Sequence, residues 1–259
     1  MFDAMKVKND CVEWIRDWFD HNGPGCNAVI GISGGKDSSV VAALCVEALG
    51  KDRVIGVLMP NGIQDDIEYS IDLVEYLGIP FTDVNIRESY NGIIKNIGNM
   101  YMPQTDGSRK GEWINISQQT IVNLPPRIRM ATLYAISQSV NGRIANTCNL
   151  SEDYIGYSTR WGDSVGDFAP LAHLTSDEVI AIGDVCNLPY ELTHKTPSDG
   201  LCGKTDEDNF GFTDAVLNKY SRDGACDDED VKAKIDSMHK KNLFKLMPMP
   251  TFHYNPMFE

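Results

Sequence analysis

The strongest constraint on the fold is an alternation of short apolar runs with helical stripes. Residues 28–32 (AVIGI) are few, rich in β-branched side chains and bounded by glycines, the pattern of a strand covered on both faces. Residues 54–59, 81–86 and 143–146 repeat it. Between them, residues 38–49 carry Val41, Leu44, Cys45 and Ala48 at helical spacing before a stop at Gly50, and residues 65–77 end at Gly78. A further stripe over 5–19 precedes the first strand. Strands separated by helices predict βαβ units. The expected fold is α/β, a single doubly wound domain spanning residues 1–259, with a mainly parallel sheet covered by helices on both faces. Thr175-Ser-Asp-Glu178 has the spacing of a capping box at another helix start. The segment from Asn123 to Tyr134 reads as a helix with Pro125 and Pro126 in its first turn.

Composition narrows the partners. With 42% hydrophobic residues, 259 residues can bury a core, and 23 Lys+Arg against 37 Asp+Glu give a net charge of −14. Such a chain is repelled by nucleic-acid phosphates and anionic lipid, so neither is an expected partner. No stretch reaches the roughly 18 apolar residues of a membrane helix, and the N-terminus lacks the basic-then-apolar order of a secretory signal. The seven cysteines include no CxxC pair and read as reduced thiols of a cytoplasmic protein. No zinc site is expected. The acidic run 223–230 reads as a solvated helix start, and the polar loops 103–111 and 195–211 are long enough to suggest function.

The segment Ser33-Gly34-Gly35-Lys36-Asp37-Ser38-Ser39 joins the first strand to a helix. There free amides and the helix dipole favour an anion, and two glycines let the main chain approach phosphate oxygens. Neither the nucleoside-triphosphatase P-loop nor the dinucleotide fingerprint fits the spacing. Asp37 stands where a phosphate would be repelled unless a divalent cation lay between them, so it reads as a Mg²⁺ ligand. A tight turn with a helix-start acid is the plainer alternative, but the strand-to-helix setting favours a phosphate cradle. Arg127 and Arg129 lie about 200° apart on a helix and cannot share one flat surface. Asn146 to Glu152 follows the fourth strand at the carboxyl end of the sheet, where open α/β folds bind ligands. Glu152 is either a second metal ligand facing Asp37 or a helix-start acid.

The Ser-Gly-Gly-x-Asp-Ser segment resembles the pyrophosphate loop of the N-type ATP-pyrophosphatase superfamily, the adenine nucleotide alpha hydrolase-like fold. Three motifs in order, SGGKDS, then NLPPRIRM with Leu133-Tyr134, then NTCNLSEDYIGYSTRWGDSVGD, resemble the NAD synthetase family from about residue 11 to residue 245. The resemblance implies an ammonia-dependent ligase with Mg²⁺ as cofactor. ATP would adenylate the nicotinate carboxylate of nicotinic acid adenine dinucleotide with loss of pyrophosphate, and ammonia would then displace AMP to give NAD, the last step of NAD biosynthesis. It places Ser33, Gly34, Gly35, Lys36, Asp37, Ser38, Ser39, Gln64, Thr147, Lys195 and Ser198 at ATP. Arg127, Tyr134, Arg160, Asp163 and Asp167 fall at the dinucleotide, and Asp37 and Glu152 at the metal. Lys36, Asp37, Asp163 and Lys195 are the catalytic candidates, with Asp163 expected to position ammonium. Family members are homodimers, so the helix bearing Trp14, Trp18 and Phe19 is expected either at that contact or in the core.

Two positions depart from the family pattern. Ser176 stands where many members carry a phosphate-binding lysine, and Leu58 where many carry an ATP-facing arginine. No glutamine-hydrolysing domain is expected, because no cysteine has the setting of a nucleophile with its own base. Two rivals remain on the sequence: a tRNA-thiolating or guanylate-aminating relative, disfavoured by acidity and unpaired cysteines, and a non-catalytic ATP sensor, which would not need clustered acids. The loop 195–211 is expected to be disordered without ligand and to close over the adenylate.

Overall fold

The computed structural model describes residues 2–98, 101–102, 112–113, 115–195 and 210–253. Helix α1 (Ala4–Asn22) starts behind Asp3, whose carboxylate accepts from the Lys6 amide. Then come β1 (Asn27–Ile32), α2 (Lys36–Leu49), β2 (Val54–Leu58), α3 (Ile67–Leu77), β3 (Phe81–Asp83) and α4 (Arg87–Gly98). A two-residue antiparallel ribbon, β4 (Tyr101–Met102) and β5 (Glu112–Trp113), leads to α5 (Gln118–Ser139), β6 (Gly142–Ile144), α6 (Leu150–Ile155), α7 (Ser176–Val185) and α8 (Tyr190–Thr193). Helices α9 (Asp214–Asp223) and α10 (Glu229–Asn242) complete the described chain.

Four strands form a parallel sheet in the order β3-β2-β1-β6, with Ile30 beside Gly56 and Val29 beside Ile144. Side chains alternate across it, as the pleat requires. Ala28, Ile30 and Ile32 join α1, α2, α3 and α7 on one face through Phe19, Leu44, Leu73 and Ile182. Val29, Val57 and Ile144 meet Ile128, Met130 and Leu133 of α5 on the other. The doubly wound expectation therefore holds. A third apolar cluster, Ile155, Leu217, Tyr220 and Ile235, docks α9 and α10 onto α6.

The sequence reading needs boundary corrections, the simplest being that the fourth strand is Gly142–Ile144 and not residues 143–146. Helix α5 does not begin at the prolines: it starts behind Ser117, whose hydroxyl accepts from the Thr120 amide, and carries Pro125 and Pro126 in its interior. Each proline lacks a donor, so the Ile121 and Val122 carbonyls have no helical partner there. The third strand stops at Asp83 instead of running to residue 86, because the Asn85 side chain turns to accept from the amides of Gly62 and Arg87 and starts α4. The capping box forms as expected, with the Glu178 carboxylate accepting from the Thr175 amide at 2.9 Å. The acidic run 223–230 also behaves as read, Asp228 accepting from the first amides of α10.

Candidate active site

The site opens at the carboxyl ends of β1 and β6, on either side of the point where the strand order reverses, the place where open α/β sheets bind ligands. From β1 the chain turns through Ser33–Gly34–Gly35 into α2. Gly34 has φ of +76°, and a Cβ there would lie 2.9 Å from the Tyr69 Cβ and 3.0 Å from the Ser70 amide nitrogen, so no other residue fits. Ser38 and Ser39 are buried and donate their hydroxyls to the Gly35 carbonyl at 3.1 and 2.8 Å. The Ser33 hydroxyl accepts from the Gly35 amide and pairs with Ser38. Ser38 and Ser39 thus brace the turn, while Ser33, Gly35, Lys36 and Asp37 line a cavity of about 320 Å³.

Asp37 and Glu152 meet in this cavity, joined by Asn149. The Asn149 amide nitrogen donates to Asp37 Oδ1 at 2.9 Å, and its oxygen caps α6 by accepting from the Glu152 backbone amide at 3.1 Å. Lys36 Nζ bonds Asp37 Oδ2 at 2.9 Å. Burial disfavours the Lys36 ammonium, but Asp37 and Glu152 more than offset it and its pKa is pushed up to about 12. Burial, and then the neighbouring Asp37 charge, push the Glu152 carboxyl well above the usual carboxylate range. These are hard oxygen donors short of positive charge. The pair suits Mg²⁺, which takes one or two protein carboxylates and completes its shell with phosphate and water. Among the described residues no group of three or more candidate ligands occurs.

Lys195 Nζ bonds Asp66 Oδ2 at 2.5 Å and lies 4.2 Å from the centre of the Tyr69 ring. Gln64 donates to the other Asp66 oxygen at 2.9 Å. Both Lys195 and Asp66 line the cavity. Asp163 lines it too, its Oδ1 accepting from the Thr159 amide at 2.8 Å; burial raises its carboxyl, against the pull of Lys245. Cys148 donates to the Asp163 carbonyl, and burial raises its thiol well above normal, which leaves it a poor nucleophile.

The residues expected at the dinucleotide divide. Arg127 donates to the Arg160 carbonyl at 3.2 Å, and the Arg160 guanidinium stacks between Trp161 and Phe244. Arg129 turns the other way and donates to the Met59 carbonyl, as the helical angle requires. Asp167 lies outside the loop cavity: its Oδ2 accepts from the Ile144 amide at 2.7 Å. It faces a larger groove, about 780 Å³, between α1 and residues 164–174, which holds none of the phosphate-loop residues. The charge of Asp167 reaches Tyr134. Thr147 is half-buried beside the site and absent from the cavity wall. Ser198 and most of the loop 195–211 lie outside the described residues. Leu58 is buried in β2 and Ser176 is 4% exposed, and neither side chain carries a charge.

Sequence reasoning missed several wall residues. Asn149 carried a signal, since an Asn three residues before a Glu at an expected helix start is an N-cap pattern. Asp66, Tyr157, Phe210 and Asp214 carried none that separates them from ordinary loop residues. Lys245, whose ammonium donates to the Gly156 and Ser158 carbonyls at 2.7 and 3.1 Å and acts on Asp163, comes from the far end of the chain.

Comparison with known proteins shows sequence relatives and shared folds. The NAD synthase family model matches residues 7–254. The NH(3)-dependent NAD(+) synthetase of Thermococcus sibiricus is 36% identical over 84% of this chain and 80% of its own length. Among solved structures, an NMN synthetase from Francisella tularensis superposes with a TM-score of 0.83 at 28% identity, covering 98% of this chain and all of the other. An NH3-dependent NAD synthetase from Campylobacter jejuni gives 0.76 at 26%, with the same coverage.

Proposed function

The chain belongs to the NAD synthase family, and from that premise we infer that it is an ATP-dependent, ammonia-using ligase that makes NAD from nicotinic acid adenine dinucleotide. The observation that carries the reading is the pairing of Asp37 with Glu152 through Asn149 on a glycine-turn cavity holding Lys36 and Lys195. An ATP sensor has no use for carboxylates massed against a phosphate cradle, whereas pyrophosphate release does.

In the first half-reaction a nicotinate carboxylate oxygen attacks the α-phosphorus of ATP. The bond to the β-phosphate oxygen breaks, and pyrophosphate leaves against the Ser33–Asp37 turn. Lys36 and Lys195 both line the cavity and neutralise the departing oxyanions. Mg²⁺, when bound, supplies further charge neutralisation, with Asp37 and Glu152 as its protein ligands. In the second half-reaction ammonia attacks the activated carbonyl carbon, AMP leaves with the bonding pair, and the nitrogen loses a proton. Asp163, raised by burial and held by Thr159, is placed to orient ammonia and take that proton. Arg127 and Arg160, with the aromatic rings around them, bind the pyridine dinucleotide away from the reacting atoms.

The same reading treats residues 1–259 as one synthetase domain in a cytoplasmic homodimer. In α1, Phe19 is buried and Trp18 stacks on Phe168, so only Trp14 of its three aromatic residues faces outward. The six described cysteines are free thiols.

The test is product formation by the purified chain with ATP, Mg²⁺, ammonium and the acid dinucleotide. Equal yields of pyrophosphate, AMP and NAD are expected, and absence of acceptor-dependent pyrophosphate release would overturn the reading. The superposition with an NMN synthetase favours a second reading, in which the acceptor is the mononucleotide. Comparing kcat/KM for the two acceptors decides between them.

A further inference from the structure

We propose that Asn218 is a positioning residue for the metal-and-phosphate side of the cavity, fixing the first turn of α6, and Glu152 with it, through Ser151. The proposal rests on the reading of Asp37 and Glu152 as metal ligands. Asn218 sits on α9, outside every motif that identifies the family, and it touches neither carboxylate. Its amide nevertheless closes a ring between three elements. Ser151 Oγ donates to Asn218 Oδ1 at 2.5 Å, Asn218 Nδ2 donates to Ser176 Oγ at 3.1 Å, and the Ser176 backbone amide donates to Ser151 Oγ at 3.1 Å. All three residues are buried, at 5%, 3% and 4% exposure. Ser151 and Ser176 form part of the cavity wall.

A closed buried ring is rigid, because opening any bond strands a polar group out of reach of water. Ser151 precedes Glu152 in the chain, and the Glu152 amide is held by Asn149. The backbone carrying the Glu152 carboxylate is therefore fixed on two sides, by Asn149 toward Asp37 and by Ser151 toward Asn218. The hydroxyl and the backbone amide of Ser176 both belong to the ring, which fixes that part of the cavity wall.

The experiment measures Mn²⁺ binding to the full-length chain with ATP, by the loss of the free-ion electron paramagnetic resonance signal, alongside the Mg²⁺ dependence of pyrophosphate release. Loss of a group that orients a metal ligand typically weakens metal binding by roughly ten- to a hundredfold. Asn218→Ala is expected to weaken Mn²⁺ binding and raise the half-saturating Mg²⁺ in that range, with KM for the pyridine acceptor unchanged. Asn218→Asp, which keeps an acceptor for both hydroxyls, is expected to retain the wild-type metal dependence. If Asn218→Ala does not fold, Ser151→Ala decides, with a shift in the same direction expected. A folded Asn218→Ala or Ser151→Ala variant with wild-type Mn²⁺ binding overturns the proposal, whatever its melting temperature, and so does an Asn218→Asp variant as impaired as Asn218→Ala. Failure of the wild-type chain to bind Mn²⁺ with ATP would instead overturn the metal reading itself.

Discussion

The phosphate-side cradle and the arginine surface at Arg127 and Arg160 handle charge in opposite ways. In the cradle, Asp37, Glu152 and Lys36 crowd together: Lys36 bonds the Asp37 carboxylate, and the Asn149 side chain holds that carboxylate and the Glu152 backbone amide. Their charges are expensive to leave unpaired, so the substrate that completes them is bound by the electrostatics of the reaction. On the arginine surface, Arg127 is exposed and Arg160 is supported by two aromatic faces. Contacts of that kind are worth about 0.5–1 kcal/mol each, although Arg160 Nε is buried without a hydrogen-bond partner. On the proposed function, the difference separates rate from recognition, with turnover assigned to the cradle and the choice of acceptor to the arginine surface.

The sharpest way to break this division is Asp37→Asn. It keeps the side-chain shape and removes the charge, and turnover is expected to fall about a hundredfold or more, read in steady-state pyrophosphate release. Near-wild-type kcat would end the cradle's claim to the chemistry. Asn149→Ala should follow. It parts the two carboxylates and removes the α6 cap, so Mg²⁺ dependence should shift by roughly tenfold or more and stability should drop by about 1 kcal/mol. A melting change with no metal shift would make Asn149 a cap and nothing else.

Asp153 probes the ground between the regions. One of its carboxylate oxygens is buried without a hydrogen-bond partner, and burial, with the Asp163 charge, pushes its pKa up to about 6. Because the folded chain takes up this proton more readily than the unfolded one, ionised Asp153 costs stability above about pH 6, and the cost fades as pH falls toward 4. Asp153→Asn is therefore expected to stabilise the protein at pH 8 by about 1–2 kcal/mol, allowing for its partial exposure, with no gain at pH 4. Denaturant titrations at the two pH values check it. The smallest effect belongs to Arg160→Ala, where KM for the pyridine acceptor should rise a few-fold, by about 1 kcal/mol, with kcat unchanged. A comparable fall in kcat would erase the division.

Much of this was legible before any coordinates. The β-branched run at 28–32 and the turn after it gave the central strand, the switch point and the phosphate loop together, because strand, turn and helix start there each have a local chemical signature. The start of α5 was not legible: Pro125-Pro126 carries the signature of a first turn, but Ser117 caps the helix earlier and packing on β1 and β6 carries it through the missing donors. The partnership of Asp66 with Lys195 joins residues 129 apart, and Lys245 reaches the Gly156 carbonyl from 89 residues away. Pairings of that kind are products of chain path, which local pattern does not encode.

Gly34 limits how this protein can diverge. Its α-carbon is pressed against the opening turn of α3, so a side chain there would push that helix off the sheet. The same turn carries Tyr69, on which the Lys195 ammonium rests. Loop shape, helix seat and lysine position are therefore one inherited unit, and drift in any of them disturbs the other two. Variation among descendants of such a chain must accumulate elsewhere, on the solvent-facing arginines and rings where an exchanged residue alters a preference and leaves the engine running.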